Sequence, residues 1–250
     1  ASVYGIYNQI FSALNTLINT MNSGLGFLLG QNHYKDHKKF LLLYDTYDTV
    51  YTGMVFVIFT IAYILTLPFM SLYAENFKDE NYLITYLPLL FTLINLMSGT
   101  RMIASRLINV TGNARKTQIR SIAEAAINIV ASLILVWFFG IYGVLLGTII
   151  ALLYRMNDML IFANRHILKR KVIVGYKNLF VNGAVFAAIA LIYTQIPIHV
   201  DGYGILIVYG IVVSLIVASV YLLVNALCNI RLLKNIKIVL QERKAMQNAK

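Results

Sequence analysis

Three charged side chains lie well inside two stretches of the chain that are otherwise strongly apolar, apart from Arg120 at the edge of the first stretch. Glu124 lies in residues 119–138, and Arg155 and Asp158 lie in residues 143–164. A guanidinium group pairs well with carboxylates and phosphates, and a carboxylate can hold a proton or a small cation. Because charges in an apolar setting are costly unless they are paired, these three side chains are candidates for function.

The turn between the two stretches predicts how close these charges lie. Residues 139–142 include Gly140 and predict a tight hairpin, which makes the two stretches antiparallel neighbours. With a rise of about 1.5 Å per residue, Glu124 then lies at nearly the height of Arg155 and Asp158. We expect one charge cluster with three alternative roles. These are a structural ion pair, a proton or Na⁺ site on a spare carboxylate, and an arginine that grips an anionic substrate.

A further arginine precedes this hairpin. Arg101 lies near the end of the stretch 82–105, and Arg106 follows it closely. Ordinary anchoring at a membrane boundary explains such residues. The alternative is that Arg101 faces a cavity and meets a phosphate, for which the planar guanidinium fork is well shaped.

The first apolar stretch carries a line of polar and small residues. These residues recur every three or four positions, which places them on one helix face: Tyr4, Asn8, Ser12, Asn15, Asn19, Asn22 and Gly26. Lipid cannot hydrogen-bond to amides, so this face must contact protein or water. It predicts the wall of a substrate cavity, and the alternative is hydrogen bonding between helices.

Composition gives the class of protein to which these residues belong. Of the 250 residues, 59% are hydrophobic and only 12% are charged, whereas soluble domains are usually about a quarter charged. The net charge of +11 does not indicate nucleic-acid binding, because the basic residues fall between apolar segments. We therefore expect an integral membrane protein.

The apolar segments predict an all-α fold. A bilayer core needs about 20 mainly apolar residues per helix. Seven stretches qualify: residues 3–29, 50–73, 82–105, 119–138, 143–164, 178–197 and 204–229. We expect a polytopic transmembrane helix bundle of about seven helices over residues 1–230, followed by a basic tail at residues 231–250.

Lysine and arginine predict the orientation. Nineteen of the 21 basic residues lie in four segments that alternate with the apolar stretches: residues 31–48, 101–120, 165–177 and 231–250. Positive charge marks the cytoplasmic side. The N-terminus of this chain is then outside, and the basic tail lies inside, along the anionic leaflet or in water.

Catalytic and metal-binding patterns are weak or missing in the sequence. Cys228 is the only cysteine, and His33 and His37 are surrounded by charged residues typical of a solvated helix face. No nucleophile–base pair or phosphate-binding glycine loop is present. We expect neither an enzyme nor a cofactor or metal site.

Three segments together resemble one transporter family, the polysaccharide flippases of the Wzx type. They read VYGIYNQIFSALNTLINTMNSGLG, RLINVTGNARKTQIR and EAAINIVASLILVWFFGIYGVLLGTIIALLYR. The matching residues are Tyr4, Tyr7, Asn8, Gly112, Thr117, Asn128, Ser132, Gly140, Gly143, Gly147, Thr148, Tyr154 and Arg155. The resemblance covers residues 1–175 approximately. Such flippases belong to the MOP superfamily, which also contains MATE exporters.

The resemblance implies a fold and a function. Such flippases have two bundles of related fold, and this chain resembles the C-terminal bundle, so we expect a fragment of a longer protein. The family is thought to move undecaprenyl-diphosphate-linked oligosaccharide across the bacterial cell membrane by alternating access, driven by H⁺ or Na⁺. Implied partners are the lipid-linked oligosaccharide, membrane lipids, and the glycosyltransferases or polymerase of the pathway.

On this resemblance the polar face of the first helix would bind sugar hydroxyls. Arg155 and Arg101 would offset the diphosphate charge, and Glu124 or Asp158 would hold the coupling ion. Three alternatives remain: a MATE-type drug or cation exporter, a seven-helix receptor, and a membrane scaffold that transports nothing.

Overall fold

The computed structural model describes residues 3–23, 37–74, 84–196 and 200–230. These residues fold into seven α-helices and one π-helical turn. The elements are α1 (Val3–Ser23), α2 (His37–Ala74), α3 (Leu87–Val110), α4 (Ala114–Phe139), α5 (Ile141–Phe162), the π-helical turn (Ala163–Ile167), α6 (Ile173–Tyr193) and α7 (Tyr203–Cys228). Some predictions fall outside the described residues: the end of the first stretch at 24–29, His33, and the tail at 231–250.

The helical membrane bundle expected from composition is confirmed. Within the described residues, six helices, α2 to α7, are long and apolar enough to cross a membrane. Helix α1 is not among them, because its amide and hydroxyl side chains lower its hydropathy. The protein is therefore a multi-pass membrane protein with an all-α fold.

Two segments expected to be connections are helical instead. Helix α2 begins at His37, well before the expected residue 50, because Phe40, Tyr44, Tyr47 and Tyr51 form a buried stripe at helical spacing. The connection expected at residues 106–118 is also helical except for a short turn near Gly112. Sequence reasoning began α2 too late and ended α3 too early, because it assigned charged residues to loops.

Helices α2 and α3 form the centre of the bundle, and α3 packs against α1, α2 and α5. Helices α6 and α7 pack on the other side of α2. Aromatic rings join α1 to the core: the ring centroids of Phe11 and Phe91 are 5.5 Å apart, and those of Phe11 and Phe59 are 6.3 Å apart. Helix α4 packs mainly on α5 and exposes large apolar residues such as Trp137, as a lipid-facing helix does.

The hairpin of α4 and α5 is confirmed, and it is unusually close. Gly140 turns the chain with φ of 55°, a conformation that favours glycine. A Cβ atom at Gly143 would lie 2.2 Å from the backbone of Leu135, and one at Gly147 would lie 2.3 Å from Ser132 Oγ. These contacts require glycine, and they fix the height at which the charged residues of the two helices meet.

Candidate functional site

The predicted charge cluster exists and is larger than expected. Arg155 Nε lies 3.4 Å from Glu124 Oε2, and Arg155 Nη1 donates to Asp158 Oδ2 at 2.9 Å. Arg101 Nη1 donates to Glu124 Oε1, and Arg120 Nη1 donates to Asp158 Oδ1 at 2.7 Å. We call these five side chains the ion-pair network. It joins α3, α4 and α5.

Arg155 is the centre of the network. Its side chain is only 3% exposed, and its Nη2 donates to Ser121 Oγ at 2.7 Å. Its Nε is buried and makes no hydrogen bond of good geometry, although Glu124 Oε2 is near. Contacts from both α4 and α5 therefore orient this guanidinium group.

The expectation of a spare carboxylate is wrong. Glu124 contacts Arg101 as well as Arg155, and Asp158 contacts Arg120 as well as Arg155. Sequence reasoning grouped Arg101 with these charges as a cavity-facing residue, but it did not foresee that Arg101 pairs with Glu124 or that Arg120 pairs with Asp158. The network holds three guanidinium groups and two carboxylates, so its surplus charge is positive.

A polar cavity of about 480 Å³ opens beside the network. Its polar lining includes Ser105, Asn109, Arg115, Gln118, Ser121 and Arg155. Arg115 is exposed, and no ion pair is recorded for it within the part of the chain that the structure describes. We call this space the arginine pocket. Two guanidinium groups together with hydroxyl and amide donors suit an anion such as a phosphate.

The polar face of α1 divides into two parts. Tyr4 packs its ring on Phe91 with centroids 5.2 Å apart, and the Asn15 amide donates to Asn95 Oδ1. Asn8, Ser12 and Asn19 are exposed, and the side chain of Asn22 lies outside the described part of the structure. Tyr4 and Asn15 lie nearer the apolar side of the helix, which explains why they contact α3.

The polar face of α1 thus includes residues that contact α3 and residues that are exposed. The described residues of the arginine pocket come from α3, α4 and α5, and none comes from α1. Arg101 contacts Glu124 and is not part of the pocket lining either.

Sequence reasoning missed a second polar group at the ends of α2, α6 and α7. Arg170 contacts Asp45, and its Nε donates to Asn164 Oδ1 at 2.7 Å. The Asn178 amide donates to Asp48 Oδ2 at 2.6 Å. Spacing could have revealed this group, because Asp45 and Asp48 are three residues apart on one helix face.

An amide ladder continues this group into the bundle. Asn225 Nδ2 donates to Asn182 Oδ1 at 2.7 Å, and Asn182 Nδ2 donates to the carbonyl of Asn178 at 2.8 Å. Asn182 is completely buried. The ladder fixes α6 and α7 against each other, a structural role that suits amides in a membrane.

Comparisons with protein-family models, with curated proteins and with solved structures gave no match for this chain. Its function must therefore be inferred from the geometry of its own residues.

Proposed function

We propose that this chain belongs to a flippase that moves a diphosphate-linked oligosaccharide lipid across a bacterial cell membrane. The observation that carries the proposal is the arginine pocket, a polar cavity of about 480 Å³ beside an ion-pair network with surplus positive charge. A cavity for a cationic drug would need surplus negative charge. The charge balance therefore favours an anionic substrate over the exporter alternative.

Diphosphate binding follows from the charges of the pocket. Arg115 is exposed at the pocket, and Arg155 lies at its buried side. Attraction between opposite charges is several times stronger beside a membrane core than in bulk water, because the local dielectric constant is low. Arg115 and Arg155 would hold the diphosphate, while Ser105, Asn109 and Gln118 donate hydrogen bonds to its remaining oxygens.

Substrate entry would then be linked to a proton or Na⁺. A diphosphate that approaches Arg155 competes with Glu124 and Asp158 for the same guanidinium group. A carboxylate that loses one of its two basic partners takes up a proton or a cation more readily. This competition couples anion binding to cation binding without a separate coupling site.

The other parts of the molecule suit the rest of the substrate. Asn8, Ser12 and Asn19 are exposed on α1 and offer amide and hydroxyl groups to sugars. The apolar outer surfaces of α4 and α7 leave space in lipid for the polyprenyl tail. Alternating access would carry the sugars past the polar face of α1, and the pathway's glycosyltransferases would supply the substrate.

Surface polysaccharide in cells that carry the complete protein tests the proposal. We expect Arg115→Gln to lower surface polysaccharide about tenfold, because a charged hydrogen bond to phosphate contributes about 1.5–3 kcal/mol. Arg165→Gln is the matched control, because Arg165 is also exposed but lies outside the pocket lining. Normal polysaccharide in Arg115→Gln cells, at normal protein level, would overturn the proposal. Gain of resistance to cationic dyes would favour the exporter.

A further inference from the structure

A second cavity, of about 430 Å³, lies between the ends of α2, α6 and α7. Asp45, Asp48 and Lys177 line it together with the apolar side chains Val174, Leu227 and Ile230. We call it the α2–α6–α7 cleft. None of these residues belongs to the ion-pair network or to the arginine pocket.

The cleft holds an acid and a base that do not pair with each other. Asp48 Oδ2 accepts from the Asn178 amide at 2.6 Å, and Lys177 Nζ donates to the Cys228 carbonyl and to Asn229 Oδ1, both at 2.7 Å. Among the residues that the structure describes, no ion pair is recorded for Asp48 or Lys177. Both charges therefore have neutral partners that a ligand of opposite charge can replace.

Asp45 differs from these two residues, because it already has a basic partner. Arg170 Nη1 donates to Asp45 Oδ1, and the guanidinium group lies over the Tyr44 ring, 5.5 Å from its centroid. Asp45 and Arg170 together add no net charge. The charges left for a ligand are one carboxylate and one ammonium group.

The cleft lies where a membrane protein meets lipid headgroups. Helix α6 begins at Ile173 and helix α7 ends at Cys228, so Lys177 lies near the ends of two helices that are long enough to cross a membrane. Leu227 and Ile230 are 70% and 52% exposed and border the cleft on its outer side. Headgroups occupy this depth, and acyl chains would continue along the apolar rim.

We propose that the α2–α6–α7 cleft binds the headgroup of a zwitterionic phospholipid that carries a primary amine, such as phosphatidylethanolamine. The lipid ammonium donates to Asp48, and the lipid phosphate accepts from Lys177. A quaternary amine has no N–H group to donate, so phosphatidylcholine forms no hydrogen bond to Asp48. An anionic lipid without an amine places no cation at Asp48. This inference is independent of the transported substrate.

Native mass spectrometry of the purified chain tests this site. Detergent-solubilised protein is equilibrated with an equimolar mixture of phosphatidylethanolamine, phosphatidylcholine and phosphatidylglycerol, and the retained lipid is counted. We expect phosphatidylethanolamine to be retained about tenfold over phosphatidylcholine, the value of one charged hydrogen bond. Equal retention of these two lipids would overturn the proposal, and so would preferred retention of phosphatidylglycerol.

Variants of Asp48 and Lys177 test whether these two residues cause the preference for phosphatidylethanolamine. Asp48→Asn should remove the preference for phosphatidylethanolamine, and Lys177→Gln should lower retention of both zwitterionic lipids. Asp201→Asn, an exposed acid between α6 and α7, is the matched control and should change nothing. Because Lys177 is exposed, Lys177→Gln should fold even if Asp48→Asn does not. Unchanged lipid retention in folded Lys177→Gln protein would contradict the proposed phosphate contact, and it would overturn the proposed lipid site in the α2–α6–α7 cleft.

Discussion

Glu124 on α4 and Arg155 on α5 face each other across the hairpin, with Arg155 Nε 3.4 Å from Glu124 Oε2. The contact brings a carboxylate to the most buried arginine of the ion-pair network. The same arginine lines the arginine pocket, so a bound anion and Glu124 would compete for one guanidinium group.

Removing the central guanidinium group should destabilise the bundle. In Arg155→Met, Glu124 and Asp158 each lose a basic partner, and Ser121 loses a donor. Breaking a buried ion pair from one side usually costs about 3–5 kcal/mol. Glu124 and Asp158 keep Arg101 and Arg120, so we expect the lower end of that range.

Thermal unfolding of the purified chain in detergent measures this loss of stability. Arg165→Met, at an exposed position, is the control and should unfold near the wild-type temperature. An Arg155→Met protein as stable as this control would mean that the network contributes little to stability.

Close packing of the hairpin should depend on glycine. In Gly147→Ala, the new methyl group would lie 2.3 Å from Ser132 Oγ, so α4 and α5 must move apart. Overpacking of this kind costs about 1–3 kcal/mol. Gly183→Ala is the matched control, because a Cβ atom there meets nothing within 4 Å.

Thermal unfolding in detergent measures the stability of the Gly147→Ala and Gly183→Ala proteins. The Gly183→Ala protein should be as stable as wild type or about 0.5–1 kcal/mol more stable, since alanine favours a helix interior. Equal destabilisation of both variants would show that the close hairpin contact is not the cause.

The two parts of the α1 polar face should respond differently to substitution. Asn15→Ala leaves Asn95 Oδ1 without its donor in the core, which costs about 1–3 kcal/mol. Asn8→Ala removes an exposed amide and should change stability by less than about 0.5 kcal/mol.

Surface polysaccharide separates the two roles further. If Asn8 binds sugar hydroxyls, Asn8→Ala should lower polysaccharide in cells while the protein level stays normal. Reduced amounts of the Asn8→Ala protein, as for Asn15→Ala, would instead assign Asn8 to helix packing.

The contact between Arg101 and Glu124 should carry a measurable coupling energy. In a double-mutant cycle of Arg101→Gln and Glu124→Gln, we expect the two losses to be non-additive by about 1 kcal/mol, because both side chains are largely shielded from water. A cycle with Arg165→Gln in place of Arg101→Gln should be additive, and coupling of the same size there would point to a general effect of charge.

Regular features of the chain could be predicted from its sequence. The apolar stretches predicted the helical membrane bundle, and Gly140 predicted the hairpin that brings Glu124 to the height of Arg155. These features depend on residue spacing and on the rise per residue of a helix, and both follow directly from positions in the sequence.

Contacts between distant segments could not be predicted in the same way. Asn178 reaches Asp48 from α6, and no short turn joins α2 to α6 to fix their relative height. Arg101 and Glu124 do lie on either side of a short turn at residues 111–113, but sequence reasoning placed a longer connection there, at residues 106–118, and so did not compare their heights. Helix boundaries failed for a related reason. The Tyr44 and Tyr47 side chains are buried by partners elsewhere in the chain, so helix α2 extends beyond its most apolar part.

Binding of a polyprenyl diphosphate to the purified chain tests the central claim most directly. Titration should compare the diphosphate with the polyprenyl alcohol of the same length, for the wild type and for Arg115→Gln. We predict that the wild type binds the diphosphate at least about tenfold more tightly than the alcohol and that Arg115→Gln loses most of this difference. Equal affinity of the wild type for the two lipids would contradict diphosphate recognition by the arginine pocket.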